Sequence, residues 1–206
     1  MANTSISEFY DQILSDKGFQ IPETGDLFFP AYIYTYNPKD EYVVRKEIEN
    51  LKDRLIRPNN FVDALIINIF HEFIDYLDTL KLGNNSLYTL LLEKDKSNNP
   101  PEVIIDIVKR EANSREFFDY INCKVEKHFI SATQHKRVYL LLYGFGSIFP
   151  FLRTSNYLKN FEEHVKGYKL IVFYPGRYES KNYHLFDEFN DENIYRAVPI
   201  DALIKR

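Results

Sequence analysis

The 206-residue chain contains no tryptophan and one cysteine, Cys123. A single thiol excludes an intrachain disulfide framework and a multi-cysteine zinc site. No apolar run approaches the roughly 20 residues that cross a bilayer. The opening MANTSISEFYDQ shows no basic stretch followed by an apolar one, so no signal peptide is expected. These absences lead to the expectation of a soluble, cytoplasmic protein. The five histidines, His71, His128, His135, His164 and His184, are scattered, and none pairs with another His or Cys at ligand spacing. His71-Glu72 lacks the second histidine of a zinc-protease helix, so no metal or cofactor is expected.

What is present is an ordinary globular balance, 45% hydrophobic and 27% charged, with an excess of 17 Phe and 16 Tyr. Such a chain has an aromatic core, or aromatics facing a partner, or both. The formal charge of −4 argues against a dedicated DNA binder. It is unevenly spread. Residues 1–123 carry 13 Lys and Arg against 21 Asp and Glu, whereas residues 124–206 carry 13 against 9. The basic final third could face an acidic partner, a phosphate or, weakly, nucleic acid; a chance imbalance of solvated charge explains it equally well.

Helical spacing predicts helices over 6–14, 38–56, 70–82, 102–111, 115–129 and 149–164. Asn37-Pro38 and two acids open the second, and Gly83 suits the C-cap of the third. Apolar, β-branched runs predict strands over 27–36, 61–69, 137–143, 169–174 and 193–199, the fourth of these cut by Pro175-Gly176. Strands alternate with helices. The expected fold is therefore α/β, a three-layer sandwich with a mainly parallel central sheet, Rossmann-like or P-loop-like in topology but without a Walker A motif. The chain reads as one domain over 1–206, with 85–130 as a helical, insertion-like middle.

Ligands of open α/β sheets bind beyond the carboxyl ends of the strands. Three loops fit that place: 36–40, 144–147 and 174–178. Gly144-Phe145-Gly146-Ser147 lies between a strand and a helix like a phosphate cradle, but no lysine follows and the third Rossmann glycine is missing. The competing reading is a tight turn with close packing, with Phe149 covering the sheet. Arg153, Arg177 and Arg196 form an anion clamp if they converge. If they do not, they pair with Asp187, Glu188, Asp191 or Glu192. Cys123 falls on an apolar helical face and reads as a small core residue. Gly-Phe-Gly-Ser is not a nucleophile elbow, so Ser147 is not expected to be catalytic. No catalytic residue and no enzymatic activity are expected.

The stretches AYIYTYNPKDEYVVRKEIENL, YGFGSIFPFLRTSNYLKNF and VFYPGRYESKNYHLFDEFNDENIYRAVPI resemble the BrxB family, small components of bacterial BREX phage-defence systems. The resemblance runs along most of the chain but is not carried by a motif over 85–130. It implies an accessory protein with no assigned catalytic activity. It works alongside a methyltransferase, a large ATPase and the alkaline-phosphatase-like PglZ, with PglZ the expected direct partner. The motifs fall here on Gly144, Gly146, Ser147, Pro150, Phe151, Leu152 and Arg153, and on Tyr174, Pro175, Gly176, Tyr178, Tyr195 and Arg196. Phe149, Arg177 and these residues are the candidates for ligand or partner contact.

Overall fold

A computed structural model describes residues 4–21, 31–57, 61–96, 101–131, 133–191 and 197–204. In chain order its elements are α1 (Ile6–Phe9) running into a π turn (Tyr10–Leu14), β1 (Ala31–Tyr36), α2 (Glu41–Ile56), β2 (Val62–Asn68) and α3 (Ile69–Thr79). A small hairpin, β3 (Lys81–Leu82) and β4 (Asn85–Ser86), precedes α4 (Leu87–Lys96), α5 (Pro101–Ala112) and α6 (Arg115–Ile130). Then follow β5 (Lys136–Tyr143), α7 (Phe145–Ile148), α8 (Thr154–Phe161), β6 (Lys169–Glu179), β7 (Asn182–Leu185), β8 (Phe189–Asp191) and β9 (Val198–Pro199).

The fold is α/β with a mixed sheet. The order is β2-β5-β6-β1-β9, and each neighbouring pair on this path is parallel. β6 then outruns its parallel neighbours, and β7 and β8 add to it antiparallel as an arm.

Alternation along the strands divides the aromatics between two apolar clusters. Tyr32, Tyr34 and Tyr36 join Leu141, Ile171 and Phe173 beneath α1, the π turn and α2. Ala31 and Ile33 join Leu140, Leu142, Leu170 and Val172 on the other side, with α3, α6 and α8. Burial on both sides explains why β1, β5 and β6 read as nearly continuous apolar runs. Val138 breaks the alternation at a register shift opposite Asp63 and Ala64. Rings meet edge-on or stacked through both clusters, as in Phe118–Tyr157 at 5.7 Å and Phe9–Tyr34 at 5.2 Å.

Several expectations need correction. The strand predicted to stop at Tyr174 continues through Pro175-Gly176 to Glu179. Proline removes one ladder donor but keeps its carbonyl, which accepts from the Phe186 N–H at 2.8 Å. At Gly176 the backbones of β6 and β7 approach so closely that a Cβ would lie 2.0 Å from the His184 carbonyl oxygen. The helix predicted over 149–164 starts only at Thr154, as α8 and a closing 3-10 turn, because Phe149, the residue before Pro150, is extended and ends the short α7 that precedes the predicted range. Gly83 does not cap α3, which ends at Thr79; it turns the β3–β4 hairpin at φ +66°. Cys123 is exposed, since the buried stripe of α6 is Phe117, Phe118, Ile121 and Val125. The strand starts at 27–30 and most of 193–199 lie outside the described residues.

Asn68, read from sequence as an interruption in a strand, is the joint between β2 and α3. Its Oδ1 accepts from the N–H groups of Phe70 at 3.1 Å and His71 at 3.3 Å. Tyr143 pairs with Asn68 across β5, so the next residue, Gly144, meets that cap. A Cβ on Gly144 would lie 2.3 Å from Oδ1, and its φ is +90°. Gly144→Ala therefore adds backbone strain and displaces a cap. The expected loss is about 2–3 kcal/mol of unfolding free energy, measured by urea denaturation.

Candidate functional site at the carboxyl edge of the sheet

β1 and β6 run parallel in register from Ala31–Leu170 to Tyr36–Pro175, so they end side by side. Beyond this edge lies an open cleft of about 940 Å³. Thr35 and Asn37 supply one wall, Arg177 and Tyr178 of the β6 arm a second, and Asp201 of the C-terminal 3-10 turn (Ile200–Ala202) a third. Two of the three loops expected beyond the strand ends, 36–40 and 174–178, thus contribute to one cleft. The Asn37 side chain accepts from the Lys39 N–H at 3.0 Å and holds the turn out of β1.

The cleft is mixed in charge. Arg177 is paired with Glu179 at 3.1 Å, and Asp187 and Asp201 share the lining. Carboxylates offset the one guanidinium, so the lining does not suit an anion clamp. Tyr178 is exposed and rests against Tyr183 at 4.6 Å, which in turn meets buried Tyr174 at 5.6 Å. No histidine is among the described residues lining the cleft. Exposed aromatic surface bordered by polar groups is the composition of a protein-docking surface.

The third loop is used differently. Gly144 abuts the Asn68 cap, and Gly146 is packed against Phe186 and Pro175, where a Cβ would meet atoms at 2.9–3.1 Å. Ser147 accepts a hydrogen bond from Arg45 Nη2 at 2.9 Å. Arg45 also pairs with Glu41 at 2.7 Å, and Glu41 accepts from the Tyr36 hydroxyl. Burial, then the bond and charge of Glu41, push the Tyr36 hydroxyl well above its usual pKa. The Arg45 guanidinium lies 5.9 Å from the rings of both Tyr42 and Tyr143. The chain Tyr36–Glu41–Arg45–Ser147 thus ties α2 to α7 and fixes the shoulder of the carboxyl edge.

Behind the cleft lies a buried polar cluster that sequence reasoning missed. Asp191, on β8, is 3% exposed. Its Oδ1 accepts from Ser155 Oγ at 2.6 Å, while its Oδ2 has no hydrogen-bond partner. The Tyr174 and Tyr183 hydroxyls are buried without a partner as well. Burial pushes the Asp191 carboxyl up, against the lowering effects of Ser155, Arg153 and Tyr174. Burial and the Asp191 charge push the Tyr174 hydroxyl up. Nothing in the local sequence FNDENIY marks Asp191 as the buried acid among its neighbours. Only the antiparallel pairing of Tyr183 with Asp191 turns it inward.

The remaining candidates separate. Arg153 is exposed and donates to the Asn190 carbonyl at 3.2 Å, whereas Arg177 pairs with Glu179, so each guanidinium has its own partner. Phe149 is half-buried against Phe186 and Phe189, with ring centroids 6.1 and 5.1 Å away. Tyr195 and Arg196 lie outside the described residues. Among the described residues no group of three His, Cys, Asp or Glu could hold a metal, and no helix is long and apolar enough to cross a membrane.

Comparison with known proteins gives one consistent family. The family model described as "BREX protein BrxB" matches residues 66–200. The chain is similar to BREX protein BrxB of Bacillus cereus (strain H3081.97), 27% identical over 199 residues that cover 93% of this chain and 95% of that protein. It is also similar to BREX protein BrxB of Escherichia coli O9:H4 (strain HS), 23% identical over 166 residues, covering 81% of this chain and 75% of that one. No solved structure matches.

The Asp191 cluster predicts a pH dependence of stability. A carboxyl whose folded pKa exceeds its unfolded value holds its proton more tightly when folded. Its contribution is thus fully present below the ordinary value of 3.8 and falls as pH rises through the raised folded value. Asp191→Asn keeps an acceptor for Ser155 and removes the buried charge. Melting temperatures measured between acid and neutral pH are expected to lose that downward component in the variant, and the variant is expected to melt higher than the native protein at neutral pH.

Proposed function

The chain belongs to the BREX protein BrxB family, and from that premise we propose that it is a non-catalytic component of a BREX anti-phage defence system that docks on the alkaline-phosphatase-like protein PglZ. Its task in this reading is to help assemble the defence complex, with the ATPase and the methyltransferase as further partners. The observation that carries the docking role is the carboxyl-edge cleft. It gathers the NPKD turn and the FYPGRY strand end, both motifs of the resemblance, around an exposed tyrosine. Tyr178 and Arg177 are the proposed contact residues on its wall. Phe149, with exposed Phe189 beside it, extends the aromatic surface on the same arm. Arg153 and Tyr174 position that arm through Asn190 and Tyr183. Tyr195 and Arg196 belong to the same motif run of the sequence and are proposed as contact residues on that ground alone.

The finer description of the fold belongs to this reading too: a three-layer sandwich around a parallel centre, Rossmann-like in general plan but without a Walker A motif. Apolar clusters on alternate residues of the strands support it. The glycines of 144–147 favour a packing role over a phosphate cradle, because protein atoms already occupy the space a cradle needs. The place of action is proposed to be the cytoplasm.

Co-purification with the cognate PglZ tests the reading. The two proteins are expected to elute together at micromolar concentration. Tyr178→Asp and Arg177→Glu are each expected to raise the Kd about tenfold or more, with the melting temperature retained. Separate elution, or unchanged affinity in both variants, ends it.

A further inference from the structure

The amino edge of the sheet, opposite the cleft, carries a second concavity. It measures about 450 Å³ and is lined by Phe129, Ser131, Thr133, His135, Arg137, Lys166 and Gly167. The residues come from the end of α6, the start of β5 and the turn before β6. Two cationic side chains, a histidine and two hydroxyls line it, and no carboxylate is among the described residues of the lining.

The pocket lies in a stretch of the chain poor in acids. No Asp or Glu occurs between Glu126 and Glu162, or between Glu163 and Glu179. Lys136 adds its charge next to the pocket. Burial and then Lys136 depress the pKa of Lys169, whose Nζ is held to the Ile21 carbonyl at 2.6 Å.

Arg137 is fixed from behind. Its Nη1 donates to the carbonyls of His128 and Ser131 and to Ser131 Oγ, and its Nε faces Asp63 Oδ2 at 3.7 Å. Two consequences follow. The carbonyls at the end of α6, which would repel an anion, are already covered by a cation. Asp63 lies between Lys52 at 3.9 Å and Arg137 at 3.7 Å, with His128 Nε2 at 3.3 Å, so its charge is answered on the inner side by the two cations.

Lys166 is exposed and forms no ion pair with any described residue. A Cβ on Gly167 would meet nothing within 4 Å, so the mouth is open. Phe129, stacked on Tyr168 at 4.6 Å, forms an apolar wall. A preoriented guanidinium, an ammonium with no ion-pair partner among the described residues and the Thr133 hydroxyl, around an open space, match the requirements of a tetrahedral oxyanion, while the Ser131 hydroxyl donates to the His128 carbonyl at 3.1 Å and helps fix Arg137.

We propose that this amino-edge pocket is a binding site for a phosphate group. The ligand class is phosphate, either free or carried in a nucleic-acid backbone. The site is independent of the docking cleft, since the parallel strands place the two at opposite edges of the sheet.

The test uses the full chain at low ionic strength, titrated with inorganic phosphate by calorimetry and with a short DNA duplex by fluorescence anisotropy. Saturable phosphate binding is expected. Lys166→Gln and His135→Gln are each expected to weaken it about tenfold, the size of one charge-assisted hydrogen bond, at unchanged melting temperature. Duplex binding that falls steeply with salt and is lost in the same variants supports the site and assigns the phosphate to a nucleic-acid backbone. Phosphate binding alone supports the site and assigns it to a small phosphate. Absence of saturable binding by either probe, or binding that both variants leave unchanged, overturns the proposal.

Discussion

The structure depends on β6. This strand pairs in parallel with β5 on one side and with β1 on the other, and then continues into antiparallel pairing with β7. The first pairing stitches the last third of the chain to its middle, and the second stitches it to the N-terminal strand. Closure of such long loops costs entropy, and the buried row Leu170–Tyr174 offsets it with apolar area on both sides of the sheet. The switch of partner happens at Pro175-Gly176. Proline gives up one donor where the ladder changes, and glycine permits the approach to His184. Without that switch there is no arm, and the cleft loses the wall that carries Arg177 and Tyr178.

Parallel pairing also separates the molecule into two chemically different edges. At the carboxyl edge the strands deliver Thr35, Asn37, Arg177 and Tyr178 around a cleft whose carboxylates offset its arginine. At the amino edge the loops deliver His135, Arg137 and Lys166, with no carboxylate among the described residues of the lining. The net charge of −4 conceals this polarity, because an average over a chain carries no direction. A protein that docks with one edge leaves the other available for a different ligand.

Much of the fold was legible in the sequence. The Asn37-Pro38 turn that leads into α2, the apolar stripe of α6 and the buried run of β5 carry their period and their caps in adjacent residues. The errors share a cause. Pro175-Gly176, Phe149-Pro150 and Asn68 all hold local signals for a break, and local signals do not say what lies across the sheet. Asn68 proved to be a cap completed by Gly144, a residue distant in sequence. Of the candidate site, the loops were legible and their grouping was not. The loops 36–40 and 174–178 share a cleft while 144–147 packs against Asn68, Phe186 and Pro175, and Arg153 and Arg177 take separate partners. Asp191 was invisible because burial is a property of its cross-strand neighbours.

The sequence by itself determined the element types, the family, and the lack of cysteine and histidine patterns for thiol or metal chemistry. Those properties depend on residue identity and short spacing, which adjacent residues record. Tertiary structure alone decided which aromatics fill the core and which reach solvent. It also decided which charges are answered, as with Arg177 by Glu179, and which find no ion-pair partner among the described residues, as with Lys166. The physical reason is that burial, ion pairing and cleft shape arise from groups brought together by parallel strand pairing over long sequence separations, and no local pattern encodes that meeting.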